Sequence, residues 1–243
     1  MAIVSDKEFL IAKVNRSLDW MPEENLTPVR ELYIQQREDV IKIAKENGLR
    51  DKAVLDVGTG RGRFALGFAK EGANVTAIDI SEKVLEIARK NTAEKNLQVK
   101  FEYGDAENLQ FADGSFDIVC CMVVLGIVFN PKKVISELER VCKAGGLVIV
   151  SVHNKNIWWR FRYYNPVKAV LYISIPSLFR YTPPMVWKIL YKLGYPPYRV
   201  WKEHSKKELI NLFSKVSKVE RIIGYGKPEV YLTAFARKQF LMS

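Results

Sequence analysis

One stretch constrains the fold more than any other: Val54-Leu55-Asp56-Val57-Gly58-Thr59-Gly60-Arg61-Gly62-Arg63-Phe64. Val54, Leu55 and Val57 read as a short buried strand. Three alternating glycines form a tight turn, and Phe64, Ala65, Leu66, Phe68 and Ala69 give the apolar face of a helix. Glycine here lets the backbone turn sharply and lets a ligand approach the main chain. The helix that opens at the turn offers N–H groups and the positive end of its dipole. A loop of this kind at the carboxyl end of a strand is where an open α/β sheet binds its ligand.

The rest of the chain supplies that sheet. A strand over 53–57 is followed by a helix over 62–71 and a strand over 74–78 that ends on Asp79. Ser81 is a good N-cap for a helix burying Val84, Leu85, Ile87 and Ala88. Alternation over 97–103 predicts a half-buried strand, and the apolar run 116–122 a strand covered on both faces. Pro131 opens a helix with Val134, Ile135, Leu138, Val141 and Cys142 on one face, stopped by Ala144-Gly145-Gly146 before an apolar strand over 147–152. Five strands alternating with helices imply a doubly wound parallel sheet. Ser205 to Glu208 fits a capping box for a helix burying Leu209, Leu212, Phe213 and Val216. Segments 219–225 and 230–236 then read as a closing antiparallel pair, for seven strands in all.

Residues 1–50 read as two helices ahead of the sheet, the first capped by Ser5 and the second stopped by Asn47-Gly48. The sheet domain is expected over 51–153 and 203–243, with 154–202 inserted between its elements as two or three short helices. That insertion carries 9 Lys/Arg, no acid, six prolines and thirteen aromatic residues. Charge divides the chain in the same place. Residues 1–150 hold 21 Lys/Arg against 23 Asp/Glu, whereas 151–243 hold 17 against 4, so the two parts face different partners. The longest uncharged run of the insertion, Ala169–Phe179, is shorter than the roughly 20 residues of a bilayer span, and no transmembrane segment is expected. The N-terminus lacks a basic-then-apolar signal pattern, which predicts a cytoplasmic chain. Cys120, Cys121 and Cys142 sit in apolar surroundings, read as reduced core residues, and suggest neither a disulfide framework nor a metal site.

The loop excludes two common ligands. A phosphate-binding loop ends in Gly-Lys-Ser/Thr, where this chain has Gly62-Arg63-Phe64. A dinucleotide fingerprint puts its third glycine at position 63, which is Arg63. The spacing Gly58-x-Gly60-x-Gly62 resembles instead the first motif of the class I S-adenosylmethionine-dependent methyltransferases. The likeness is to the broad group (methyltransferase type 11) that includes the ubiquinone/menaquinone-biosynthesis enzymes. It covers about residues 35–152, with weaker support over 203–237, and four further stretches match in order. These are Asp79 at the end of the second strand, Gly104-Asp105-Ala106-Glu107-Asn108-Leu109, Phe111 to Val119, and Arg140-Val141-Cys142-Lys143-Ala144-Gly145-Gly146.

The resemblance implies a Rossmann-like α/β fold, with the sheet mostly parallel and its last strand antiparallel, and S-adenosylmethionine as cofactor. It implies that Asp79 accepts from both ribose hydroxyls and that Ile80 lies beside it. Asp105 and the Ala106 N–H would meet the adenine, and Gly58, Thr59, Gly60 and Gly62 the methionine portion. Cys121 and Met122 would lie near the sulfonium. Asp56, an acid on an apolar strand, is too costly to bury unpaired, so loop N–H groups or the cofactor's ammonium should meet it. Asp117 is expected to be structural. Relatives often carry a His pair after the fourth strand, where this chain has Gly126-Ile127. No base can be carried over from them, and His153, at the end of the fifth strand, remains as a candidate beside a capping or packing role. His204 is expected at the surface. The Asn/Asp-Pro-Pro-Tyr/Phe motif of amino-directed nucleic-acid methyltransferases is absent, since Asn130-Pro131 is followed by Lys132-Lys133.

Substrate choice is expected from the insertion. Its Trp158, Trp159 and Tyr163, together with Trp20 and Tyr33 from the N-terminal helices, are candidate acceptor contacts, with core packing the ordinary role for the last two. Three readings stand side by side. The first is a lid over a hydrophobic or anionic small molecule, lipid or quinone-like, with peripheral membrane contact. The second is an RNA-binding face, and the third a non-catalytic module that binds the cofactor and recruits a partner. The high apolar content of the insertion favours the first.

Overall fold

The computed structural model describes residues 6–17, 30–154, 203–227 and 229–240. The elements are α1 (Asp6–Ser17), α2 (Arg30–Glu46), β1 (Ala53–Val57), α3 (Arg63–Lys70), β2 (Asn74–Asp79), α4 (Glu82–Ala93) and β3 (Lys100–Tyr103). They continue with β4 (Phe116–Met122), α5 (Pro131–Val141), β5 (Cys142–His153), α6 (Lys206–Ile210), β6 (Ser217–Tyr225) and β7 (Tyr231–Lys238). The strands form one seven-stranded sheet in the order β3-β2-β1-β4-β5-β7-β6. The first five pair in parallel, and β7 runs antiparallel to both β5 and β6. Strand order reverses between β1 and β4, so the crevice for a ligand lies at their carboxyl ends.

Alternation along the strands builds two cores. Leu55, Val57, Val119, Cys121, Val148 and Val150 face α5 and α6 through Val134, Ile135, Leu138 and Leu209. Their neighbours Val54, Ile118, Cys120, Leu147 and Ile149 face the opposite way, onto Val40, Ile41 and Ala44 of α2 and Phe64, Ala65 and Phe68 of α3. Burial on both faces is what the apolar runs require. α1 stands apart from both cores. Its Leu10 and Val14 make a small separate cluster with Ile80 and Val84.

Several expected boundaries move. β3 covers 100–103 only, because Lys100–Tyr103 is the part that pairs with Thr76–Asp79; Leu97 and Val99 precede the strand. Cys142 is not the last helical residue but the first of β5, paired with Phe116, and the register shifts before Ile118 meets Leu147. Gly145 turns through φ 76 inside that irregular stretch. α6 has the expected capping box between Ser205 and Glu208 but stops at Ile210, leaving Leu212 and Phe213 packed on the core from the loop that follows. Trp20, Ser5 and the insertion from 155 to 202, with Trp158, Trp159 and Tyr163, lie outside the described residues. Among the described residues no helix is long and apolar enough to cross a membrane.

Candidate functional site

The glycine turn is held at the carboxyl end of β1 by its neighbour strand. Gly58 and Thr59 both donate N–H to the Ile78 carbonyl, at 2.8 and 2.9 Å. Gly58 has φ 69 and its α-carbon lies against the Val124 side chain, so that any Cβ would collide with Val124 Cγ2. Gly60 has φ 57 and open space where a Cβ would stand. Gly58 is therefore glycine for packing, and Gly60 leaves room at the crevice.

Two buried carboxylates organise this turn. Asp79, at the tip of β2, accepts from the Gly60 N–H and the Ser81 N–H, each at 3.1 Å. Ser81 caps α4 by accepting from the Val84 N–H at 3.2 Å, so Asp79 is not needed as a cap. Asp56 accepts from the Thr59 hydroxyl at 2.7 Å and from the Ala65 N–H in the first turn of α3 at 3.1 Å. The acid on the apolar strand thus ties turn and helix together. Burial penalises the charge of both groups and pushes each carboxyl from 3.8 up to about 6; the hydrogen bonds offset only part of that cost.

Next to Asp79, the Gly104 N–H donates to the Asp79 carbonyl at 3.0 Å, which brings the end of β3 alongside. The following turn is closed by the Glu107 N–H on Asp105 Oδ1 at 2.9 Å. Asp105 and Ala106 are half-buried there, close to the two carboxylates' crevice. Ile80 is buried under α1. Cys121 is enclosed in the α5-side core, where burial drives its thiol well above its usual range. Met122 faces the α2 side at the tip of β4. Asp117 lies at the other end of β4. It accepts from the Ala53 N–H at 3.0 Å and from Lys143 Nζ at 3.0 Å. Burial works against its charge, but these bonds bring it below the ordinary carboxylate range.

A second group gathers at the ends of β5 and β7. Tyr33 of α2 stacks on Tyr231 with ring centroids 5.1 Å apart, and Tyr231 on His153 at 4.9 Å. The Arg63 guanidinium lies 4.5 Å from the ring centroids of both Tyr33 and Phe64. One turn below Tyr33, the fully buried Gln36 donates to Ser151 Oγ at 2.8 Å and Thr233 Oγ1 at 3.1 Å. Those hydroxyls precede His153 and follow Tyr231 by two residues on their strands, so Gln36 fixes α2 beneath the pair. The sequence singled out Tyr33 and His153 separately; Tyr231, Gln36 and Arg63 were missed. Their local signal is that of ordinary core and helix residues, and only the strand pairing Ser151 to Thr233 joins them. Val123, immediately after β4, was missed as well. It has φ 63, a costly conformation for a β-branched residue, and its N–H donates to the Ser151 carbonyl at 2.9 Å.

His204 is buried rather than at the surface. The chain returns from the insertion here, and the His204 N–H donates to the His153 carbonyl at 3.0 Å, in a parallel bridge with Asn154. The residues flanking the insertion, Asn154 and His204, thus meet at the tip of β5. Asn154 is tied to the sheet: its N–H donates to the Val230 carbonyl at 2.9 Å.

Residues 55–150 match the family model of a methyltransferase domain. A ubiquinone biosynthesis O-methyltransferase of Colwellia psychrerythraea is 34% identical over 142 residues, 57% of this chain and 58% of the relative. A protein of the same name from Azoarcus sp. is 36% identical over 138 residues, 56% and 58% of the two chains. The matched region thus spans less than two thirds of these relatives. The magnesium protoporphyrin IX methyltransferase of Synechocystis PCC 6803, solved with bound S-adenosylmethionine, superposes with a TM-score of 0.69 at 19% identity. The superposition covers 98% of this chain and 100% of that one. A SAM-dependent methyltransferase from Aquifex aeolicus superposes with a TM-score of 0.55 at 22% identity, over 80% and 87% of the chains. At these identities the solved structures establish the fold.

Proposed function

We propose that this chain, a member of the class I S-adenosylmethionine-dependent methyltransferases, transfers a methyl group to a small hydrophobic or anionic acceptor of quinone-like or lipid character. One observation carries the cofactor assignment: a buried carboxylate, Asp79, bonded to the N–H of a glycine that has open space beside it. Two hydroxyls on a ribose would supply the donors that a buried, otherwise costly carboxylate calls for. The donor set fits the rest of the cofactor too. Asp105 and Ala106 would hold the adenine, Gly58, Thr59, Gly60 and Gly62 the methionine portion, with Ile80 and Met122 as apolar contacts. Asp56 supports that end by fixing the turn from behind, and Cys121 supports it from the core.

When bound, S-adenosylmethionine supplies a methyl group on a sulfonium that is already electrophilic. The chain's task is then to orient an acceptor and exclude water. Tyr33, Tyr231 and Val123 offer an aromatic and apolar wall at the carboxyl ends of β4 and β5 and the amino end of β7, suited to a planar apolar acceptor. His153, stacked on Tyr231, would hold the acceptor's proton where the nucleophile must lose one. The relatives' names favour a quinone-like acceptor over RNA. The test is calorimetric titration of S-adenosylmethionine into the wild type and Asp79→Ala. Binding should be lost in the variant, and an unchanged affinity would remove the ribose assignment.

A further inference from the structure

We propose that α1 is the closing helix of the nucleoside end of the site: it seals bound cofactor against the ends of β2, β3 and β4, and it lifts for exchange. This rests on the reading of the crevice as the S-adenosylmethionine site. α1 touches the sheet at three strand ends. Lys7 Nζ lies 5.3 Å from the centroid of the Tyr103 ring, at the tip of β3, two residues before Asp105. Leu10 and Val14 are buried against Ile80, directly after Asp79, and Val84; Ile127, in the turn after β4, packs on the same cluster. Asn15 Oδ1 accepts from the Ser81 hydroxyl. The Ser81 N–H in turn donates to Asp79 Oδ1 at 3.1 Å, so one residue joins the helix to the carboxylate. The helix therefore bridges residues that flank Asp79 and Asp105.

The attachment is also built to release. A helix of 12 residues is marginal on its own in water and depends on docking for its stability. α1 docks through a cluster separate from both sheet cores, so it can leave without opening either. A ligand beneath it adds apolar contact to the same face. Linkage then requires that the ligand strengthen docking by the factor by which docking strengthens the ligand.

S-adenosylhomocysteine is the probe. Hydrogen exchange of α1 amides in the full chain should slow at least tenfold on saturation. In stopped-flow release experiments, Leu10→Asp and, separately, Asn15→Ala should speed dissociation, tenfold or more for the first, while the association rate changes less than threefold. Unchanged α1 exchange together with slowed exchange at residues 58–62 would overturn the proposal and leave the cofactor reading intact. So would wild-type release rates in Leu10→Asp, or tighter binding in it, which would mean that α1 occupies the site. Failure of the wild type to bind the probe would overturn the cofactor reading itself, and the closing helix with it.

Discussion

Gly58→Ala and Gly60→Ala are the same chemical change two residues apart, and the structure separates their consequences. Both positions are left-handed, with φ 69 and 57. A side chain there costs about 1–2 kcal/mol. At Gly58 the new methyl group also strikes Val124 Cγ2, in a packed neighbourhood where Val124 is 8% exposed. Overpacking of this kind adds about 1–3 kcal/mol. Gly58→Ala should therefore cost about 2–5 kcal/mol and Gly60→Ala about 1–2 kcal/mol. A chain of this size loses roughly 2–4 °C of melting midpoint per kcal/mol, which puts Gly58→Ala about 4–20 °C below the wild type and Gly60→Ala about 2–8 °C below it. The order reverses for the ligand. The Gly60 methyl enters open space at the crevice and takes room from the cofactor, so its dissociation constant should rise roughly tenfold or more, about 1.4 kcal/mol. Thermal melts and calorimetric titration measure the two effects independently. Equal melting midpoints for the two variants, or wild-type cofactor affinity in Gly60→Ala, would refute the reasoning.

Three further outcomes follow from the described contacts. The Asp79 carboxyl is raised from 3.8 to about 6 by burial, so its contribution to stability is full below 3.8 and is lost as pH rises through 6, a loss of about 3 kcal/mol. Asp79→Asn lacks the titrating group but also loses one of the two acceptors, so its expected signature is a slope: relative to the ligand-free wild type it should gain stability as pH rises from about 4 through 6, and a gap that moves the other way would contradict the assignment. Gln36→Leu strands the Ser151 and Thr233 hydroxyls and should cost about 1–3 kcal/mol in denaturant unfolding, whereas an unaltered midpoint would show that Gln36 does not hold α2 in place. Asp117→Asn removes a partly exposed pair with Lys143 at the far end of β4 and should cost no more than about 1 kcal/mol, with cofactor affinity unchanged by calorimetry.

What the sequence made legible was local. The apolar runs at 53–57, 116–122 and 147–152 predicted buried strands because each carries its own two-faced burial pattern. Ser81 and Ser205 predicted helix starts because a cap needs only the next three residues. The glycine turn and Asp79 were visible because their spacing belongs to one strand-turn-helix-strand unit. Boundaries shifted where pairing with another strand decided them, as with Cys142 opposite Phe116. The aromatic group lay beyond reach for the same reason. Gln36 meets Ser151 across 115 positions and Thr233 across 197, and no local pattern in α2 marks it as more than an amphipathic-helix residue. His204 looked like a surface residue because it precedes a helix; it is buried, where its backbone bridges to Asn154. The docking of α1 on Ile80 and Ile127 likewise joins the start of the chain to two turns far downstream.

The central claim is methyl transfer to a small acceptor. It is tested most directly by incubating the full chain with methyl-labelled S-adenosylmethionine and a fractionated cell extract, then following the label. The account predicts label in the solvent-extractable fraction of small apolar or anionic molecules, and none with Asp79→Ala. Label in RNA or protein, or a cofactor that binds yet keeps its methyl group with every fraction, would contradict it.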